Sequence, residues 1–153
     1  MSYDLLVFEP TAAPRNREQF TAWWHAQAEW SEPHSYNDPA VTSASLRDWY
    51  VEIRMTFPNL NGPGGPTDEM DFDNPRLTDY SIGKVVIYAA FPWSQAEVAY
   101  DLVRELAVKH NVGFYDVSGD EGDGEIHFPG DVLRPPSGGA WRQVASDFRK
   151  LEG

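Results

Sequence analysis

Cysteine is absent from the 153 residues, which excludes a disulfide framework and thiolate chemistry and fits a reducing compartment. Long apolar runs are missing too: nothing approaches the roughly 18–20 residues of a membrane span. The opening MSYDLLVFEP has no basic region, extended apolar segment or cleavage site, so it does not read as a signal peptide. These absences together predict a soluble, cytoplasmic protein without membrane contact. Bases are scarce, 12 Lys and Arg against 24 Asp and Glu, a net charge of −12. A nucleic-acid partner is therefore not expected, because phosphate affinity needs clustered Lys and Arg. There is no GxGxxG, Walker loop, GxSxG elbow or HExxH, and no cofactor is expected.

What is present is enough for one domain. Hydrophobic residues make up 41% and aromatics 14% of the chain, ample for a core and incompatible with wholesale disorder. The acidic excess is concentrated. Residues 58–79 carry Asp68, Glu69, Asp71, Asp73 and Asp79 against Arg76 alone, a net of −4. Residues 111–133 carry Asp116, Asp120, Glu121, Asp123, Glu125 and Asp131 with no base, a net of −6. The rest of the chain comes to only −2. Charge so localised gives a directional field that steers a basic partner.

The pattern of residues predicts the order β-α-α-β-α-β-β. Tyr3 to Glu9 is a near-continuous apolar run stopped by Pro10, the mark of a well-buried strand. Asn16 is placed to cap a first helix with Gln19 three residues on, and that helix is expected to stop by Ser31-Glu32-Pro33. Leu46, Trp49, Tyr50, Ile53 and Phe57 form the stripe of a second helix starting at Ser43 or Ser45. The Gly/Pro-rich NLNGPGGPT after Pro58 opens a loop through Asp79, a length uncommon unless functional or disordered. Ser81 to Phe91 reads as one β-branched strand. Ser94 with Glu97 reads as a capping box, Trp93 with Val98 as a staple, and Asn111 as a left-handed helix end. Gly113–Ser118 and Glu125–Phe128 flank an acidic turn as a hairpin. The expectation is an α+β single domain: a small mixed sheet with about three helices over residues 1–130. A tail at 131–153, with a possible short helix from Trp141, carries a net of +2 over residues 134–153.

Chemistry is harder to find. Asp120 to Glu125 invites a calcium reading, but glycines stand where ligands belong and the segment is shorter than a 12-residue calcium loop. His25 and Glu29, at i and i+4, supply only half a metal site, so no metal is expected. His34 reads as a turn residue, and His110 sits where a helix C-terminus favours a cation. His127 alternates with Ile126 and Phe128 beside the acidic turn. A small hydrolase using loop carboxylates with His34 or His127 is the enzymatic alternative, since carboxylate separation is a three-dimensional matter.

Several segments carry a likeness. YDLLVF, WSEPHSYND, FPNLNGP, DYSIGKVVIYAAFPWSQAE and VGFYDVS together resemble a group of small acidic bacterial proteins of the immunity type, encoded beside secreted polymorphic toxins. The likeness extends over residues 3–128. It implies a non-enzymatic protein that binds a cognate toxin domain and blocks it. The charge pattern places the contact at Asp68, Glu69, Asp71 and Asp73 in the first stretch and at Asp120, Glu121, Asp123 and Glu125 in the second. A regulatory domain with another basic protein partner would show the same acidic surface.

Overall fold

In a computed structural model, residues 2–61, 74–118 and 125–134 are described. Strand β1 (Tyr3–Phe8) organises them. Side chains alternate across a strand, and both sets on β1 are apolar apart from Asp4. Tyr3, Leu5 and Val7 join a cluster with Trp49, Ile53 and Val103, whereas Leu6 and Phe8 join Phe20, Trp24 and Phe128 on the other face. All five β1 side chains are fully buried, each stabilising by roughly 1.5–3 kcal/mol against exposure. A strand buried on both faces belongs in the middle of a sheet.

The remaining strands are β2 (Asp79–Ile82), β3 (Val86–Phe91), β4 (Gly113–Tyr115), β5 (Ile126–Phe128) and β6 (Asp131–Arg134). They form one six-stranded sheet in the order β2-β3-β1-β4-β5-β6. Helices α2 (Ala44–Ile53) and α3 (Ala96–Lys109) cover the Tyr3 face, and α1 (Arg17–Gln27) covers the Phe8 face. This is the expected α+β single domain. The sheet is not mixed, however: every neighbouring pair is antiparallel. β3 and β4, joined through α3, run parallel to each other, but β1 inserts between them. The predicted single strand at 81–91 is the hairpin β2–β3, turned where the Gly83 N–H donates to the Val86 carbonyl at 2.8 Å. Residues 131–134, assigned to the tail from sequence, pair with β5 as β6; 135–153 and the expected terminal helix lie outside the described residues.

Local signals set most helix ends. The Asn16 side chain accepts from the Gln19 N–H at 3.1 Å, and Ser43 accepts from Leu46 at 3.4 Å. At the end of α3, Asn111 adopts φ 56°. The Val112 N–H reaches the Ala107 carbonyl at 3.0 Å and the Asn111 N–H reaches Val108 at 3.3 Å, the paired bonds of a Schellman end with buried Val112 beneath it. One end, the start of α3, differs from expectation, whereas α1 ends before Pro33 as its sequence implies. α1 stops at Gln27, and Trp30, at φ 50°, sets its ring against Trp24 and Tyr88. The Ser94–Glu97 capping box does not form, because a 3-10 turn at Trp93–Gln95 starts from Pro92 and turns Ser94 inward. Its buried hydroxyl has no hydrogen-bond partner among the described residues. Val98 is 40% exposed, so the staple is absent, and Trp93 instead packs against Tyr3.

Candidate acidic binding end

Strand direction places the two acidic stretches. β1 begins at Tyr3, opposite Phe91, and ends at Phe8, opposite Val86 and Gly113. Asp79 opposes Ala90, so β2 begins at the Tyr3 end of the sheet. Ser118 lies there too, donating its N–H to the Asp4 carbonyl at 3.1 Å and accepting the Asp4 N–H on its hydroxyl at 2.7 Å. The Asp116 N–H donates to the Glu125 carbonyl at 3.0 Å, extending the β4–β5 ladder in the same direction. Thus the first stretch rejoins the sheet, and the second leaves and re-enters it, at one end. β2 and β4 are three strand spacings apart, about 14 Å, and β2 and β5 about 19 Å.

Asp4, on β1, lies between the stretches, and Asp79 is the last acid of the first. Asp4 and Asp79 both oppose Ala90 and therefore share a face, about 10 Å apart across β3. Asp79 is exposed and accepts from the Asn61 amide at 3.0 Å. Asp4 is half-buried, accepting from Ser2 at 2.6 Å and from the Tyr88 hydroxyl. Burial foremost, then this carboxylate, raises the pKa of Tyr88 and keeps the phenol a donor. Arg76, the one base of the first stretch, lies over the Phe57 ring at 5.4 Å. The first stretch is pinned by an isolated parallel bridge between Asn59 and Thr78. Asn59 is buried, its amide donating to the Tyr50 hydroxyl at 3.0 Å.

Of the eight expected contact residues, Asp68, Glu69, Asp71, Asp73, Asp120, Glu121 and Asp123 lie outside the described residues. Glu125 is described, and it corrects the expectation of an exposed contact. It is 1% exposed. Its Oε1 accepts from the Tyr100 hydroxyl at 2.9 Å and Arg104 Nε at 3.0 Å, and its Oε2 from Arg104 Nη2 at 3.3 Å. The hydrogen bond from Glu125 holds Arg104 all the more firmly protonated, and burial with the nearby Glu125 charge raises the Tyr100 pKa. Glu125 therefore anchors the turn. Asp116 is also buried and accepts from the Tyr3 hydroxyl at 3.2 Å, so both acids of the second stretch whose side chains are described face inward. The i, i+4 pair Tyr100 and Arg104 was the available signal for this anchor, but its acidic partner is 21 residues away.

His34 and His110 are placed elsewhere, whereas His127 stays on β5, two residues from Glu125. His34 lies beside the β2–β3 turn: Glu32 accepts from the Lys84 N–H at 3.1 Å and is hydrogen-bonded to His34 Nε2. That turn is the opposite end of the sheet, about 20 Å from the acidic end by the length of β3. The geometry thus does not bring His34 to the acidic stretches. The His34 pKa is raised, first by its hydrogen bond to the Ser35 carbonyl and then by Glu32. A raised pKa in the folded state means this contribution to stability is full below the ordinary 6.5. It is lost as pH rises through the native value. NMR titration of His34 should give a midpoint above 6.5 that falls in Glu32→Gln; a midpoint at or below 6.5 contradicts the pairing. His110 does stand at the C-cap of α3, and it contacts Glu52 at 3.0 Å. His127 lies on β5 opposite Phe114.

Among the described residues no group of three or more His, Asp or Glu is placed to hold a metal, and no helix is long and apolar enough to cross a membrane. No protein-family model, curated protein or solved structure matches the chain.

Proposed function

We propose that this protein is a non-enzymatic inhibitor of the immunity type, which binds a cognate toxin domain at the acidic end of its sheet in the cytoplasm. The observation that carries the reading is the attachment of both acidic stretches to one end of the sheet, with Asp4 on β1 between them. A toxin acting on nucleic acid or nucleotide presents a basic cleft, and carboxylates on this end match that charge. Localised charge of one sign speeds diffusional encounter, which suits a protein that must capture a toxin before it acts. The Arg104–Glu125 pair, its carboxylate 1% exposed, and the Asn59–Thr78 bridge fix the roots of the two stretches.

A gene beside this one is expected to encode a secreted protein with a small C-terminal toxin domain, and the test uses that domain. Reversing charge at Asp120, Glu121 and Asp123 should slow association about tenfold or more at low salt and flatten its salt dependence. Cells co-expressing toxin and variant should lose protection. Association rates that do not change with salt or with the substitutions would refute electrostatic capture. Protection without any complex would refute the inhibitor class.

A further inference from the structure

We infer that the binding surface extends from the acidic end onto the outer face of α3, where a cleft receives an arginine side chain of the protein partner. This rests on the reading just proposed. The cleft has a volume of about 430 Å³ and is lined by Tyr100, Asp101, Arg104, Glu105, Val108 and Glu125. Its four charged groups sum to −2, so a cation is favoured over an anion.

The arrangement of cations makes the site specific. Arg104 and Lys109 are the bases nearest Glu105 on the helix, and each is committed to another carboxylate. Arg104 holds Glu125 through two hydrogen bonds, and Lys109 holds Glu52 at 2.5 Å. Glu105 is exposed and makes no hydrogen bond or ion pair among the described residues. An i+4 lysine ordinarily pairs with such a glutamate; here Glu52 has drawn it away. The acid is left lining a concavity that Val108, one turn along the helix and 52% exposed, also lines. A guanidinium offers two parallel N–H groups to a carboxylate, and its methylene stem packs on an apolar neighbour. Glu105 supplies the first and Val108 the second. Glu125 joins the cleft directly to the root of the second acidic stretch, so one partner can span both.

A hexa-arginine peptide is the probe, titrated into the full chain at physiological salt and followed by NMR. The Val108 methyls and the Tyr100 ring should shift, with apparent affinity at least fivefold weaker in Glu105→Gln. That substitution is at an exposed position, and far-UV circular dichroism checks that the fold is kept. In the variant Asp120→Asn, Glu121→Gln, Asp123→Asn the Val108 shifts should persist. Val108 shifts equally strong in Glu105→Gln, or none in the unsubstituted protein, overturn the cleft. Shifts that vanish in the triple variant but survive Glu105→Gln overturn the cleft while leaving the acidic stretches as the binding surface. Cleft shifts intact in the triple variant, together with unaltered capture of the toxin domain by it, leave the cleft standing and overturn the stretches.

Discussion

Replacing Gly113 by alanine is expected to lower stability by about 3 kcal/mol and the thermal midpoint by roughly 6–12 °C. A Cβ at that position would lie 2.2 Å from Cε2 and Cζ of the Phe8 ring, far inside contact distance. The ring has nowhere to go. Phe8 is fully buried, with Phe20 at 5.0 Å, Phe128 at 5.1 Å and Trp23 at 5.9 Å between centroids. Either β4 must move off β1 or this cluster must open. Gly130 makes a useful contrast: its φ is 81°, but a Cβ there meets nothing within 4 Å. Alanine at 130 should cost only about 1–2 kcal/mol, from backbone strain alone. The double variant Phe8→Leu, Gly113→Ala should be less destabilised than the sum of the single changes, because leucine vacates the space the new methyl needs. Denaturant unfolding measures all four proteins. A Gly113→Ala loss below 0.5 kcal/mol, or strict additivity, would contradict this packing of β4 against β1.

Replacing Arg104 by leucine is the second large effect, again about 3 kcal/mol. Removing one partner strands a carboxylate that is 1% exposed, and an uncompensated buried charge is costly. Arg104 is itself about one-third exposed, so water relieves part of the cost and the low end of the usual range applies. Adding Glu125→Gln should recover most of the loss. The amide is neutral and still accepts from the Tyr100 hydroxyl. Guanidinium or urea unfolding at neutral pH reads both variants. A loss of less than 1 kcal/mol in Arg104→Leu, or no recovery in the double variant, would show that the pair does not anchor the turn.

The features legible in sequence were those decided locally. The α2 stripe of Leu46, Trp49, Tyr50 and Ile53 is buried throughout, since helical spacing alone puts those residues on one face; Phe57 is buried too, but the helix ends at Ile53 before reaching it. Asn16 and Asn111 act where their side chain or backbone freedom is useful, within a turn of the residue itself. The Ser94–Glu97 pattern was equally local and misled, because Pro92 begins a turn that spends Ser94 before the helix starts. Gly83 was hidden in a β-branched run whose two halves pair with each other. The insertion of β1 between β3 and β4 depends on contacts about 80 and 110 residues apart, and nothing in their spacing declares it. Glu125 shows the same limit at the candidate site. In sequence it is one more acid in an acidic turn, and only the fold supplies Tyr100 and Arg104 to bury it. What the sequence offered was the clustering of charge; what the topology adds is that both clusters attach at one end.

Hydrogen–deuterium exchange of the complex with the proposed toxin partner is the most direct measurement of that claim. Protection is predicted together at 58–79 and 116–125, with the outer face of α3 following. The opposite end of the sheet, at Glu9–Ala12 and Gly83–Val85, should exchange as in the free protein. Protection confined to that opposite end would contradict the account.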